Sequence, residues 1–107
     1  MKRSIEWLTH SADVESRASS VLVVNDSPEH LGFIKLVLED AGYEVFTASD
    51  GEEGIVTALS VRPDVILSDV VMPRRDGFEL CRMVRSAPEL VSTPVLLMTG
   101  FQSGVTS

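Results

Sequence analysis

Four short apolar runs, each separated from the next by one helix-sized segment, restrict what this chain can fold into more than any other feature. They are Val21-Leu22-Val23-Val24, the stretch from Glu44 to Ala48, Val65-Ile66-Leu67 and Val95-Leu96-Leu97-Met98. The first and third lack polar alternation, as expected of strands buried on both faces of a parallel sheet. Between the runs, Leu31, Ile34, Leu38 and Ala41 recur at helical spacing. Ile55, Ala58 and Leu59 form a second inward face, and Phe78, Cys81 and Val84 a third. Each helix has readable ends. Ser27 is a candidate N-cap before Pro28 and Glu29, and Gly42 stops the first helix. Ser49 or Asp50 caps the second, which Pro63 bars from continuing. Asp76 caps the third, with Pro88 beyond its end. The order βαβαβαβ implies a parallel sheet with right-handed crossovers, hence an open α/β sheet with helices on both faces. At 107 residues the chain has room for one such domain.

In sheets of this kind a site forms outside the carboxyl ends of the strands, where strand order reverses. The residues at those ends are Asn25-Asp26, Ser68-Asp69 and Thr99-Gly100. If the first and third strands are neighbours, two carboxylates and a hydroxyl converge. Carboxylates a few ångströms apart repel by roughly 3 kcal/mol at an effective dielectric near 20, so they call for a cation or a shared proton. Hard oxygen ligands completed by water suit Mg²⁺. Such an ion orients a phosphoryl group for in-line transfer, and a carboxylate can be the acceptor. Thr99 would then donate to a phosphoryl oxygen. Taken one at a time these residues also have plain structural readings. Acids at strand ends cap helices or sit in solvated turns, and Thr is common in strands. Asp76-Gly77 reads as a turn and cap, Met72-Pro73 as loop-shaping, and Arg74 and Arg75 as solvated. The residues alone lead to an acidic, metal-binding site.

Composition narrows the partners. A formal charge of −7 repels a nucleic-acid backbone, so binding to DNA or RNA by this chain is set aside. The longest apolar run is far short of a membrane span and no secretory leader opens the chain, which points to no membrane association and a cytoplasmic location. The single cysteine, Cys81, cannot form an internal disulfide and reads as a small buried hydrophobe. Residues 1–20 form a polar extension in which Ile5, Leu8 and Ala12 fit a short amphipathic helix as well as they fit a frayed leader. His10, within it, reads as solvent-exposed.

Several stretches together resemble the receiver domains of two-component response regulators. They are Val21 to Pro28, Ala41-Gly42-Tyr43-Glu44-Val45, Ala48 to Gly54, Pro63 to Pro73 continuing through Asp76-Gly77-Phe78-Glu79-Leu80, and Pro94 to Gly100. The resemblance implies a flavodoxin-like sheet of strand order 2-1-3-4. It implies that Asp69 is the phosphoacceptor, served by a histidine kinase or a phosphotransfer protein. It makes Asp26 a direct Mg²⁺ ligand, Val71 the residue whose backbone carbonyl completes the metal site, and Thr99 the switch hydroxyl. It makes the chain a signalling component and not an enzyme. The family usually carries two acids at the end of the first strand, whereas Asn25 stands at the first of them. An amide there can hold a metal-bound water, with Mg²⁺ affinity reduced, and Asn25→Asp is expected to restore it.

The resemblance also implies a further helix, a fifth strand carrying a Lys, and a last helix. This sequence stops before them, and Lys35 is its last lysine. The expectation is therefore a receiver over residues 21–107, incomplete at its C-terminus, with one sheet edge and part of the first helix uncovered. A fragment cut from a longer protein, a partner chain such as a second copy forming a homodimer, or residues 1–20 would each account for that gap. The main alternative is a receiver-fold interaction module that is not phosphorylated. A phosphatase of the dehalogenase type is disfavoured because Val71 stands where its second acid belongs. A flavodoxin-like cofactor protein is disfavoured because Asn25 to His30 lacks a phosphate-binding loop.

Overall fold

The computed structural model describes residues 19–72 and 76–98. Strands β1 (Ser20–Val24), β2 (Glu44–Ala48), β3 (Val65–Asp69) and β4 (Val95–Met98) alternate with helices α1 (Pro28–Asp40), α2 (Gly51–Val61) and α3 (Gly77–Ser86). The sheet is four-stranded and parallel, in the order β2-β1-β3-β4. The expected architecture and strand order are both observed, and β1 and β3 are neighbours.

Strand alternation sends successive side chains to opposite faces, and two cores result. Val21 and Val23 of β1 pack with Ile34 of α1, alongside Leu31, Leu38, Val65, Leu67 and Met98. Leu22, Val24 and Ile66 pack on the other side with Ala58 of α2 and Leu80 and Val84 of α3. Helices thus cover both faces. Each fully buried Leu or Ile contributes about 1.5–3 kcal/mol of transfer free energy, so the second core, with nine buried residues against three, carries more of the fold.

The caps follow the expected chemistry. Ser27 accepts from the N–H of His30 at the start of α1, with Pro28 in its first turn. Asp50 caps α2 by accepting from the Glu53 N–H at 2.8 Å, while the Glu53 carboxylate accepts in return from the N–H and hydroxyl of Ser49. Both residues proposed for that cap are therefore engaged, in a reciprocal box. Gly42 ends α1 with φ 101°, a conformation that costs glycine nothing. Arg62 ends α2 in the left-handed region, φ 50°, just before Pro63.

Three expectations about faces are corrected. On α3 the buried residues are Gly77, Leu80 and Val84, whereas Phe78 is 54% exposed and Cys81 only half-buried. Gly77 presses against the end of β3 and sets the helix's rotation one residue away from the face that Phe78 and Cys81 suggested. On α2 the close approach falls at Gly54 and Ala58, leaving Leu59 40% exposed. Ala41 is exposed because it serves as the C-cap of α1. A 3₁₀ turn at Pro88–Leu90, not foreseen, buries Leu90 completely. Arg85 holds that turn in place by donating to the carbonyls of Leu90, Val91 and Thr93.

Among the described residues, β2 and β4 are the sheet edges. Leu96 on β4 and Phe33, Leu36 and Val37 on α1 are exposed. Residues 1–18, where Ile5, Leu8, Ala12 and His10 fall, lie outside the described residues, as do 73–75 with Arg74 and Arg75, and 99–107 with Thr99.

Candidate functional site

The site grows out of the β1–β3 register. Leu22 pairs with Ile66, Val23 with Leu67 and Val24 with Ser68, so the next pair in line is Asn25 and Asp69. Both belong by alternation to the α1 face, as Val23 and Leu67 do. Asn25 keeps β1 tied to β2 one residue past the strand, its N–H donating to the Ala48 carbonyl at 3.1 Å. Its side-chain Oδ1 accepts from the Ser27 N–H at 2.8 Å, a local turn that swings Asp26 out toward solvent before α1 begins. The structure thus places Asp26, Asn25 and Asp69 together.

Asp69 is 1% exposed. Burial pushes its carboxyl above the ordinary carboxylate range, and the charge of Asp26 pushes it further the same way. The backbone N–H groups of Val70 and Val71 and the imidazole of His30 pull it back. The charge of Asp26 reaches Asp69, so the two acids lie near one another at the ends of β1 and β3. His30, in the first turn of α1, was not among the candidates. Its nearness to Asp69 arises only when the helix folds back over the sheet edge, and no spacing in the sequence shows it.

Beyond the acids, Ser68 is fully buried and its hydroxyl donates to the Asp69 carbonyl at 2.9 Å. Gly77 donates its N–H to the Val70 carbonyl, and a Cβ at this position would lie 2.4 Å from the Asp69 carbonyl oxygen. The residue read as part of a turn is thus also the one that lets α3 abut the site. Val71 is 65% exposed.

Among the described residues, no three His, Cys, Asp or Glu side chains group closely enough to hold a metal. Among the described residues, Asp26 and Asp69 are the acidic pair that a cation could meet at this site. Two carboxylates with a backbone carbonyl, the remaining positions filled by water, suit Mg²⁺ better than a metal needing a full protein cage. The mutual repulsion of the pair is what such an ion would relieve, so the residues present fit it.

Asn25 leaves one group unaccounted for. It is fully buried, and its Nδ2 has no hydrogen-bond partner. A buried donor without an acceptor costs about 1–3 kcal/mol.

The profile of the response regulator receiver domain matches residues 21–106. The chain belongs to the response regulator receiver family. Over 79 residues it is 39% identical to the alkaline phosphatase synthesis transcriptional regulatory protein PhoP of Bacillus subtilis, a match covering 74% of this chain and 32% of PhoP. This receiver thus spans about a third of the length of that relative. Among solved structures it resembles the chemotaxis protein CheY4 of Vibrio cholerae, with 42% identity and a TM-score of 0.76 over 81% of this chain and 72% of CheY4. It also resembles the receiver domain of the sensor histidine kinase PA1611 of Pseudomonas aeruginosa, with 28% identity and a TM-score of 0.74 over 81% of this chain and 73% of that domain. The latter was solved with a magnesium ion coordinated in its active-site cleft.

Proposed function

We propose that this receiver takes a phosphoryl group onto Asp69 in a Mg²⁺-dependent step and passes the change on as a signal. The observation that carries the reading is a carboxylate buried at a strand end and held beside a second acid, Asp26, at the carboxyl edge of a receiver-family sheet. The donor would be a phosphohistidine of a histidine kinase or a phosphotransfer protein. An Asp69 carboxylate oxygen attacks phosphorus in line. The phosphorus–nitrogen bond breaks, its electron pair stays on the imidazole nitrogen, which takes up a proton, and an aspartyl phosphate remains. When bound, Mg²⁺ supplies positive charge that offsets the phosphoryl oxygens. Asp26, Asp69 and the Val71 carbonyl would hold it, with Asn25 reaching it through water. The magnesium in the cleft of the PA1611 receiver domain supports the choice of cation.

In this reading Thr99 supplies the hydroxyl that responds to the phosphoryl group, biasing a two-state element already present in the fold. The chain is a phosphoacceptor and not an enzyme, and it works in the cytoplasm. Among the described residues no helix is long and apolar enough to cross a membrane.

The test is intact mass after incubation with Mg²⁺ and a small phosphoryl donor. One added phosphate, absent from Asp69→Ala and from samples treated with chelator, is the expected result. A protein that stays unmodified, also when extended at its C-terminus, would leave the receiver fold serving as an interaction module instead.

A further inference from the structure

We propose that Asn25 is a specificity-determining residue whose buried amide N–H is held for an oxygen of a phosphoryl-type anion at Asp69, so that the site favours the anion over the bare cation. The proposal rests on the phosphoacceptor reading of Asp69.

The orientation of the amide is fixed by its neighbours. Oδ1 accepts from the Ser27 N–H at 2.8 Å, and the flipped amide would set two donors face to face. Nδ2 is therefore the free end, buried and without a partner among the described residues. The register sets Asn25 level with Asp69 on the adjacent strand, and alternation sends both side chains to the α1 face. A donor in such a position lacks an acceptor only until one arrives. Side-chain and backbone groups satisfy most buried donors within a fold, so an exception at the end of a strand beside a reactive carboxylate marks a place for a ligand atom.

An ammonium or metal cation cannot meet that need, since Nδ2 carries hydrogens and offers no lone pair. An oxyanion can. The same residue affects the cation in the opposite direction. With Asp at this position the Ser27 bond and side-chain shape would persist, while the donor would be exchanged for a second charge near Mg²⁺. Asn25 thus lowers the pull on the metal and raises the pull on the anion, and the balance between the two partners is set at one atom.

The experiment measures two ligands separately on the full chain: Mg²⁺ alone by titration calorimetry, and fluoroberyllate at low and at saturating Mg²⁺ by ¹⁹F NMR. Asn25→Asp is expected to bind Mg²⁺ about tenfold more tightly and, at saturating Mg²⁺ where both proteins carry the metal, to lose about tenfold in fluoroberyllate affinity. Asn25→Ala is expected to lose fluoroberyllate affinity similarly while showing none of the gain in Mg²⁺ affinity that Asn25→Asp brings. Asn25→Ser, which keeps an oxygen for the Ser27 N–H, repeats the neutral arm if the alanine variant does not fold. Neutral variants that bind fluoroberyllate as the parent does would overturn the assignment, whatever Asn25→Asp does, because charge alone would then explain that variant. Asp69→Ala separates the two claims. Fluoroberyllate bound equally well by Asp69→Ala would reject the phosphoacceptor reading itself, whereas loss there with no loss in the neutral Asn25 variants rejects the role of Asn25 only.

Discussion

At Asp69 the cost of the site is stored as a misplaced proton affinity. Burial and Asp26 raise its pKa above the unfolded value, so the folded state holds the proton more tightly than the unfolded chain does. The stability this confers is complete below the unfolded carboxylate value. It is lost as pH rises through the raised folded value, beyond which a charged Asp69 burdens the fold. Asp69→Asn removes the titration, so in metal-free buffer the variant should melt higher than the parent at neutral pH and match it more closely in acid. Melting curves from pH 4 upward check this, and identical slopes for the two proteins would contradict it. The sequence showed Asp26 and Asp69 because strand ends are readable from apolar runs and the crossover order brings those ends together. It did not show His30, whose approach depends on how α1 folds over the edge. Nor did it show that the Asn25 amide keeps a donor unpaired, which is a property of three-dimensional surroundings and not of residue type.

Among the elements, two helical glycines have opposite roles. Gly32 lies inside α1 with nothing within 4 Å of where a Cβ would stand, so Gly32→Ala should stabilise the protein by about 0.5–1 kcal/mol through a less flexible unfolded chain. Gly77 opens α3 with the Asp69 carbonyl oxygen 2.4 Å from its missing Cβ and Val70 Cα at 3.0 Å. Backbone, unlike a side-chain tip, cannot swing aside. Gly77→Ala should therefore cost roughly 1–3 kcal/mol, as overpacking does, and should weaken Mg²⁺ binding by moving the end of β3. Urea titrations of the two variants, with calorimetry for the second, test the contrast; a Gly77→Ala protein of parental stability would remove the steric argument. Helix positions and caps were readable because Ser27, Asp50 and Asp76 have side chains suited to bond the following N–H groups. The rotation of α3 was not, since it is decided by a contact between Gly77 and a distant strand, and periodicity alone admitted the neighbouring face.

Across the whole molecule the two layers are unequal. Nine buried apolar residues line the α2/α3 side and three the α1 side, where Phe33, Leu36 and Val37 face outward among the described residues. Local opening follows buried contact, so amides of α1 should exchange with solvent faster than those of α2 and α3, with β1 and β3 slowest of all. Hydrogen exchange followed by NMR reads this directly, and equal protection of the three helices would count against it. Layering and strand order were predictable, because βα alternation leaves few topologies open. The inequality was not, as it depends on which apolar residues of each helix meet the sheet.

The same layering gives the meeting of β3 and α3 a further meaning. The side chain of Asp69 belongs to the α1 face, yet its carbonyl oxygen lies against Gly77 of the opposite layer. One residue thus meets both layers. A change in charge on its side chain would be felt by His30 in the first turn of α1, and a shift of its peptide by Gly77 at the start of α3. News of that event can reach both surfaces of the molecule without crossing the packed interior.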